Sequence, residues 1–187
     1  MGKNAGKLVI ISGPSGTGKG TVIKEILKQR PEFKFSVSST TRKPRPGEVD
    51  GVAYYFISHN QFNEMIENEE FLEHAQFVGE HYGTPTKPIQ ECLDAGQTVI
   101  LDIEVQGAKQ VMSKDVGSIN IFLIAPSMEE LENRLRGRGT DSEEKLIARL
   151  ERARKELEEK IHYDYVVVND TATRAAEEIL SIIEGKE

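Results

Sequence analysis

The chain has 187 residues, 37% of them hydrophobic and 29% charged, and a formal net charge of −7. That length suits one well-buried α/β domain with an insertion or two, and no apolar run approaches the roughly 20 residues needed to span a membrane. The acidic balance makes nucleic acid a poor partner, and the single cysteine, Cys92, excludes an internal disulfide and fits a reducing cytosol.

In chain order, residues 1–7 lack the apolar core of a secretion signal. They also carry Gly6 where a myristoylation pattern needs Ser or Thr, so a cytoplasmic protein is expected. Leu8-Val9-Ile10-Ile11 is apolar without alternation, which predicts a central, buried parallel strand over residues 7–12. The stretch Ser12-Gly13-Pro14-Ser15-Gly16-Thr17-Gly18-Lys19-Gly20-Thr21 follows, and Val22, Ile23, Ile26 and Leu27 give the next residues a helical face. Gly13 and Gly18 stand at the spacing G-x-x-x-x-G-K between a strand and a helix, the context of a phosphate-binding loop. Glycines let the backbone N–H groups curl inward around an anion. The helix start adds its positive dipole end, and Lys19 adds a mobile charge for the outer phosphates. Residues 13–21 are therefore the expected nucleotide-binding loop: Gly13, Pro14, Ser15, Gly16, Thr17, Gly18, Lys19, Gly20 and Thr21. Gly20 stands where a Mg²⁺-binding Ser or Thr is usual, so Mg²⁺ is expected on phosphates, water and an acidic residue elsewhere.

The helix over residues 19–30 stops at Pro31, and a short strand is expected over 33–37. From Ser38 to about Thr86 the pattern changes, with Pro44, Pro46 and Gly47 breaking any long element. Strands are expected over 54–57 and 71–78, and Ser58 to Gln61 forms a capping box ahead of Phe62, Met65 and Ile66. This segment reads as a small α+β insertion. Helices over 86–95 (ended by Gly96) and 106–114 alternate with buried strands over 98–103 and 119–124. Asp102 falls near a strand's carboxyl end, where ligands bind in open α/β sheets. Capping boxes are expected at Ser127 to Glu130 and at Thr140 to Glu143, the latter starting a helix striped with Leu146, Leu150, Ala153 and Leu157. A last buried strand over 165–168 and a helix over about 171–184 close the chain. The alternation predicts a doubly wound parallel sheet.

Two basic clusters remain. Arg42 and Arg45, in a loop stiffened by Pro44 and Pro46, can fork a phosphate, with Tyr54 and Tyr82 as hydroxyl donors. Arg134, Arg138 and Arg149 flank the Gly137/Gly139 break, and an arm carrying them can close over transferring phosphates. Taken alone, each cluster also reads as an ordinary charged surface. His59, His74, His81 and His162 show no metal-ligand spacing, and no residue is assigned as a metal ligand.

The segment from Thr40 to Ile57 resembles the signature of guanylate kinases. The glycine loop with its Gly-Lys-Gly-Thr ending, Tyr82-Gly83-Thr84, Leu101 to Gly107, Arg138-Gly139-Thr140 and Val168-Asn169-Asp170 are similar to that family in matching order. The resemblance spans about residues 7–184. It implies a phosphate-loop α/β fold with a core of residues 1–37, 87–133 and 153–187, a GMP-binding insertion over 38–86 and a short helical lid over 134–152. It implies γ-phosphoryl transfer from ATP to GMP, with dGMP as a related substrate, in purine nucleotide metabolism, and Mg²⁺ as cofactor. By the same resemblance, Glu73 and either Asp102 or Glu104 accept from guanine N1–H and its amine. Ser38 and Thr84 meet O6 and N7, while Arg42, Arg45, Glu48, Tyr54 and Tyr82 belong to the GMP phosphate side. Lys19, Arg42, Arg134, Arg138 and Arg149 act on the transferring phosphates, and Asn169 lies near adenine. Glu104 and Thr84 depart from the Asp and Ser that several relatives carry. The rival readings are a monophosphate kinase for AMP or a pyrimidine, and a guanylate-kinase-like scaffold that binds peptides. The intact glycine loop and closing arginines argue against the scaffold. Oligomeric state is left open.

Overall fold

Leu8, Val9, Ile10 and Ile11 are all buried because their strand, β1 (Lys7–Ser12), lies at the centre of a five-stranded parallel sheet. A computed structural model describes residues 6–77, 79–137 and 142–185. In it β1 pairs with β7 (Thr98–Asp102) on one side and β8 (Ile119–Ile124) on the other. β2 (Lys34–Phe35) and β9 (Tyr165–Val168) complete the order β2-β7-β1-β8-β9, every pair parallel. Successive side chains leave a strand on opposite faces, so β1 feeds two cores. Val9 and Ile11 pack with Val22 and Ile26 of α1 (Lys19–Gln29) and with Ile179 and Ile183 of α7 (Ala172–Glu184). Leu8 and Ile10 pack with Ile89 of α3 (Thr86–Asp94), with Val105, Ala108 and Val111 of α4 (Val105–Ser113), and with Phe122. Helices on both faces make the doubly wound arrangement that the alternation predicts. Burying a Leu or Ile contributes roughly 1.5–3 kcal/mol, whereas an exposed ion pair contributes about 0–1 kcal/mol. The two sheet faces therefore hold the frame, not the many surface Arg–Glu pairs.

A second sheet has the order β4-β3-β6-β5, from β3 (Ser39–Thr40), β4 (Tyr55–Phe56), β5 (Phe71–Phe77) and β6 (Glu80–Pro85). Phe62 of α2 (His59–Glu67) is fully buried under it and stacks on Phe71 at 4.4 Å. The Ser58/Gln61 capping box is present. The hairpin of α5 (Met128–Arg136) and α6 (Glu143–Glu158) has its own small core of Leu131, Leu135, Leu146, Leu150 and Ala153.

Several local expectations are corrected. The strand over 33–37 contracts to Lys34–Phe35, both exposed at the sheet edge, and that over 54–57 contracts to Tyr55–Phe56. β9 is the opposite edge, so Tyr165 is 46% exposed and Val167 is the one fully buried member of a strand expected to be buried throughout. Ser127 caps α5, but the Glu130 carboxylate accepts from Arg134 Nε and closes no capping box. The cap of α6 is Ser142, accepting from Lys145 N–H, and Arg136 holds Glu143 with both its terminal nitrogens. Thr140, expected as that cap, lies outside the described residues.

Candidate active site

The loop between β1 and α1 is shaped by glycines in conformations that other residues avoid. Gly13, Gly16 and Gly18 have φ of +143°, +93° and +89°. A Cβ at Gly13 would lie 2.2 Å from the Leu123 carbonyl oxygen, so the loop also presses on the sheet itself. Gly18 is the N-cap of α1, which has no side-chain cap and no acidic residue in its first turn. The orphan N–H groups and positive dipole end of α1 thus face the loop uncompensated, as an anion site requires. Lys19 Nζ donates to the Gly13 carbonyl at 2.7 Å, which lays the ammonium across the loop.

Distant residues pin this loop. Thr17 donates its hydroxyl to the Pro14 carbonyl at 2.9 Å, and Asn169 Nδ2 donates to the Thr17 carbonyl at 2.7 Å. Asn169, expected beside adenine, is buried with its amide directed at the loop. Arg134 donates to the Asn169 carbonyl at 3.0 Å and to the Thr17 carbonyl at 3.4 Å, and Arg149 donates to Ser15 Oγ at 2.6 Å. Two of the three expected closing arginines thus reach the loop from the α5/α6 hairpin. Arg138 lies outside the described residues.

A cleft of about 610 Å³ opens beside the loop. Of the expected residues, Ser15, Gly16, Gly18, Lys19, Gly20, Thr21, Ser38, Tyr54, Glu73, Tyr82, Asp102 and Glu104 line it. Glu73 is only 7% exposed. Thr84 donates its hydroxyl to Glu73 Oε1, and Ser38 Oγ lies 3.4 Å from the same hydroxyl. Burial pushes the Glu73 carboxyl above its ordinary value, against the Thr84 hydrogen bonds and the Lys114 charge. Burial also pushes up Asp102, with Lys19 opposing and Glu104 adding to the rise. Glu104 is the N-cap of α4 at the cleft rim, where Arg152 Nη2 meets its Oε2 at 2.5 Å.

Arg42 reaches the wall through aromatic rings. Its guanidinium lies 5.4 Å from the Tyr54 ring centre, and Tyr54 meets Tyr82 edge-on at 6.0 Å. Glu48 takes Arg42 bidentately, both contacts at 3.0 Å, and accepts from Arg45 N–H at 2.7 Å. Glu48 is thus the organiser of the basic turn. Among the described residues no group of three or more His, Cys, Asp or Glu is arranged to hold a metal.

Lys24, Gln76, Gln106, Gly107 and Arg152 line the cleft as well and were given no site role from the sequence, although Gln106 and Gly107 close the Leu101 to Gly107 motif. Two left a signal. Gly107 interrupts a helix, where glycine costs about 1 kcal/mol relative to alanine, and its reason is steric. A Cβ there would lie 2.4 Å from Glu73 Oε2. Arg152 follows Arg149 by three on one helix face, the spacing of neighbours.

The family model described as guanylate kinase matches residues 5–186. Guanylate kinase of Desulfitobacterium hafniense (strain Y51) is 50% identical over 183 residues, covering 98% of this chain and 92% of its own length. That of Lactococcus lactis subsp. lactis (strain IL1403) is 50% identical over 184 residues, covering 98% and 90%. The crystal structure of guanylate kinase from Anaplasma phagocytophilum superposes with a TM-score of 0.79 at 34% identity, over 98% of this chain and 87% of that one. With the glycine loop, the buried Glu73 and these relatives in agreement over nearly the whole length, the chain belongs to the guanylate kinase family.

Proposed function

We propose that the two walls of the cleft divide the work of the family's reaction, the loop side holding ATP and the second-sheet side holding GMP. The chain is an ATP-dependent GMP kinase, a phosphotransferase. An oxygen of the GMP phosphate attacks the γ-phosphorus of ATP, the bond to the β,γ-bridging oxygen breaks, and ADP leaves with that oxygen. No covalent nucleophile is needed. The rate comes from in-line positioning and from neutralising charge on the phosphates. The observation that carries this division is the placement of Lys19 and Glu73 on the wall of one cleft.

On the loop side, residues 13–21 and the start of α1 hold the ATP phosphates, with Lys19 at the transferred group. Arg134 and Arg149, already bonded to the loop, and Arg138 beyond the described residues add positive charge there. Asn169 serves the nucleotide by fixing Thr17. On the GMP side, Arg42, Arg45, Tyr54 and Tyr82 hold the phosphate and Glu48 orders the arginines. Ser38 donates to the acceptor edge of guanine, and Thr84 orients Glu73, which accepts from N1–H and the amine.

The two remaining carboxylates separate by environment. Asp102 lines the cleft together with Lys19 and Tyr54, so it stands between the ATP phosphates and the GMP phosphate. Mg²⁺ takes one or two carboxylates with phosphate oxygens and water, so Asp102 with the nucleotide's own oxygens is a donor set that fits it. When bound, Mg²⁺ supplies charge neutralisation at the transferred phosphoryl group. Glu104 caps the helix whose third residue, Gly107, faces Glu73, so Glu104 and Glu73 flank one helix turn and Glu104 is the second acceptor for guanine. The α4 dipole favours both negative charges there.

The insertion over 38–86 and the hairpin carrying residues 134–152 close over their substrates, since both bear phosphate-facing arginines outside the parallel sheet. dGMP presents the same base and phosphate and is accepted too. No helix among the described residues is long and apolar enough to cross a membrane. The cytoplasm, where ATP and GMP meet, is the proposed compartment, and purine nucleotide metabolism the setting. The test is ADP formation with GMP, AMP, CMP and UMP side by side. GMP should dominate, and equal rates with AMP would overturn the base-reading assignment.

A further inference from the structure

The geometry points to Gln110 as a positioning residue for guanine recognition, acting with Lys114 to fasten the strand on both sides of Glu73 to helix α4. This rests on the reading that Glu73 accepts from guanine.

β5 is the edge strand of the second sheet, so its outer backbone groups have no strand partner there. Unpaired backbone groups cost free energy unless something else satisfies them. Gln110 does so at the residue after Glu73. Its Oε1 accepts from His74 N–H at 3.1 Å and its Nε2 donates to the His74 carbonyl at 2.7 Å. One side-chain amide thus copies the two-bond contact of a neighbouring strand. On the other side of Glu73 the β5–β6 register shifts, Phe71 facing Pro85 and Glu73 facing Thr84. Such a bulge re-aims the following side chain and leaves backbone groups outside the ladder. Lys114 Nζ donates to the Leu72 carbonyl at 2.6 Å and to that of Phe71 at 3.3 Å.

Gln110 and Lys114, the C-cap of α4 with helical backbone angles, follow Gly107 by three and seven positions, hence one stripe of the helix surface. Gly107 makes room for the Glu73 carboxylate, and the other two grip the chain before and after it. α4 belongs to the parallel-sheet core through Val105, Ala108 and Val111. The carboxylate that reads the base is thereby tied to the core frame, whereas Arg42 and Tyr54 lie in the connection between β3 and β4, on the far side of the second sheet.

The test is steady-state kinetics with GMP and AMP on Gln110→Ala, Gln110→Met, Lys114→Met and Glu73→Gln, with melting curves for each. Gln110→Met keeps the length and packing of the side chain without its hydrogen bonds, and Lys114→Met alters an exposed position, so the question does not hang on the alanine variant folding. Misplacing a reacting or recognition group by about 1 Å costs up to about a hundredfold, so the KM for GMP should rise about tenfold or more in Gln110→Met. It should rise in Lys114→Met too, the GMP-to-AMP efficiency ratio should fall, and the KM for ATP should hold. Lower melting temperatures with an unchanged KM for GMP and an unchanged ratio would make these residues merely structural and overturn the proposal. If Glu73→Gln itself leaves the ratio unchanged, the base-reading role of Glu73 fails and the proposal with it. A ratio altered by Glu73→Gln but by neither Gln110→Met nor Lys114→Met leaves that role standing and overturns the positioning alone.

Discussion

Thr84 gives its one hydroxyl proton to Glu73 Oε1, at 2.5 Å, within a buried pair. The proton is thereby committed, so across the 3.4 Å contact Ser38 donates to the Thr84 oxygen, and it is the Ser38 hydroxyl that can turn from this long contact to donate to the base. Thr84→Val should raise the KM for GMP about tenfold, since a buried acceptor left unpaired costs about 1–3 kcal/mol. The lost hydrogen bond is one that lowers the Glu73 carboxyl. The acidic limb of kcat/KM for GMP should therefore move to higher pH, and Thr84→Ser should restore it. An unmoved limb would separate Thr84 from the ionisation of Glu73.

Glu73→Gln should trade activity for stability. Burial holds the Glu73 carboxyl above its ordinary 4.5 in the fold. Between that value and the raised one, the folded state binds more protons than the unfolded, so stability falls as pH rises through the window. Gln keeps an oxygen for the Thr84 hydroxyl and has no charge to bury. Its Tm should exceed that of the parent above the window and converge on it as pH falls below 4.5, while the GMP-to-AMP efficiency ratio drops. A Tm difference that does not vary with pH would assign the gain to something other than ionisation.

Lys19→Ala should remove turnover without harming the fold. The ammonium lies across the loop on the Gly13 carbonyl and belongs to none of the apolar cores. Loss of one preorganised donor at a developing charge costs about 10²–10³-fold in kcat. The measurements are kcat with saturating GMP and ATP and a melting curve. Turnover within a few-fold of the parent would remove Lys19 from the transfer step.

Gly107→Ala should act on the substrate and not on the fold. The added Cβ meets Glu73 Oε2 at 2.4 Å, the end of a movable side chain, so the carboxylate shifts and the helix stays. Alanine favours a helix over glycine by about 1 kcal/mol, so the Tm should hold or rise. The KM for GMP should rise with the KM for ATP unchanged. A lower Tm with normal GMP kinetics would show that the helix, not Glu73, gives way.

The parts of this protein that were legible in its sequence are those governed by neighbours along the chain. Leu8 to Ile11, the loop glycines and the apolar face of α1 follow one another directly, so strand, anion loop and helix could be read in place. The Ser58/Gln61 capping box is likewise a contact between residues three apart. The alternation of strands and helices gave the doubly wound sheet by the same local logic.

Tertiary structure decided the rest. β3 at Ser39–Thr40 exists because β4 and β6 flank it, and two residues carry no periodicity to detect. β9 reads as buried from its valines, but its place at the sheet edge exposes Tyr165 and Val166. The inward turn of Asn169 onto Thr17, the Arg152 contact with Glu104 and the grip of Gln110 on His74 join residues 152, 48 and 36 positions apart. Such contacts depend on where the packed helices and sheets bring distant backbone groups, and a buried donor or acceptor is satisfied by whatever polar atom the fold delivers to it. Residue types along the chain announce that amides, arginines and carboxylates are present; only the packing of α4 against β5 decides that Gln110 meets a backbone and Gly107 a carboxylate.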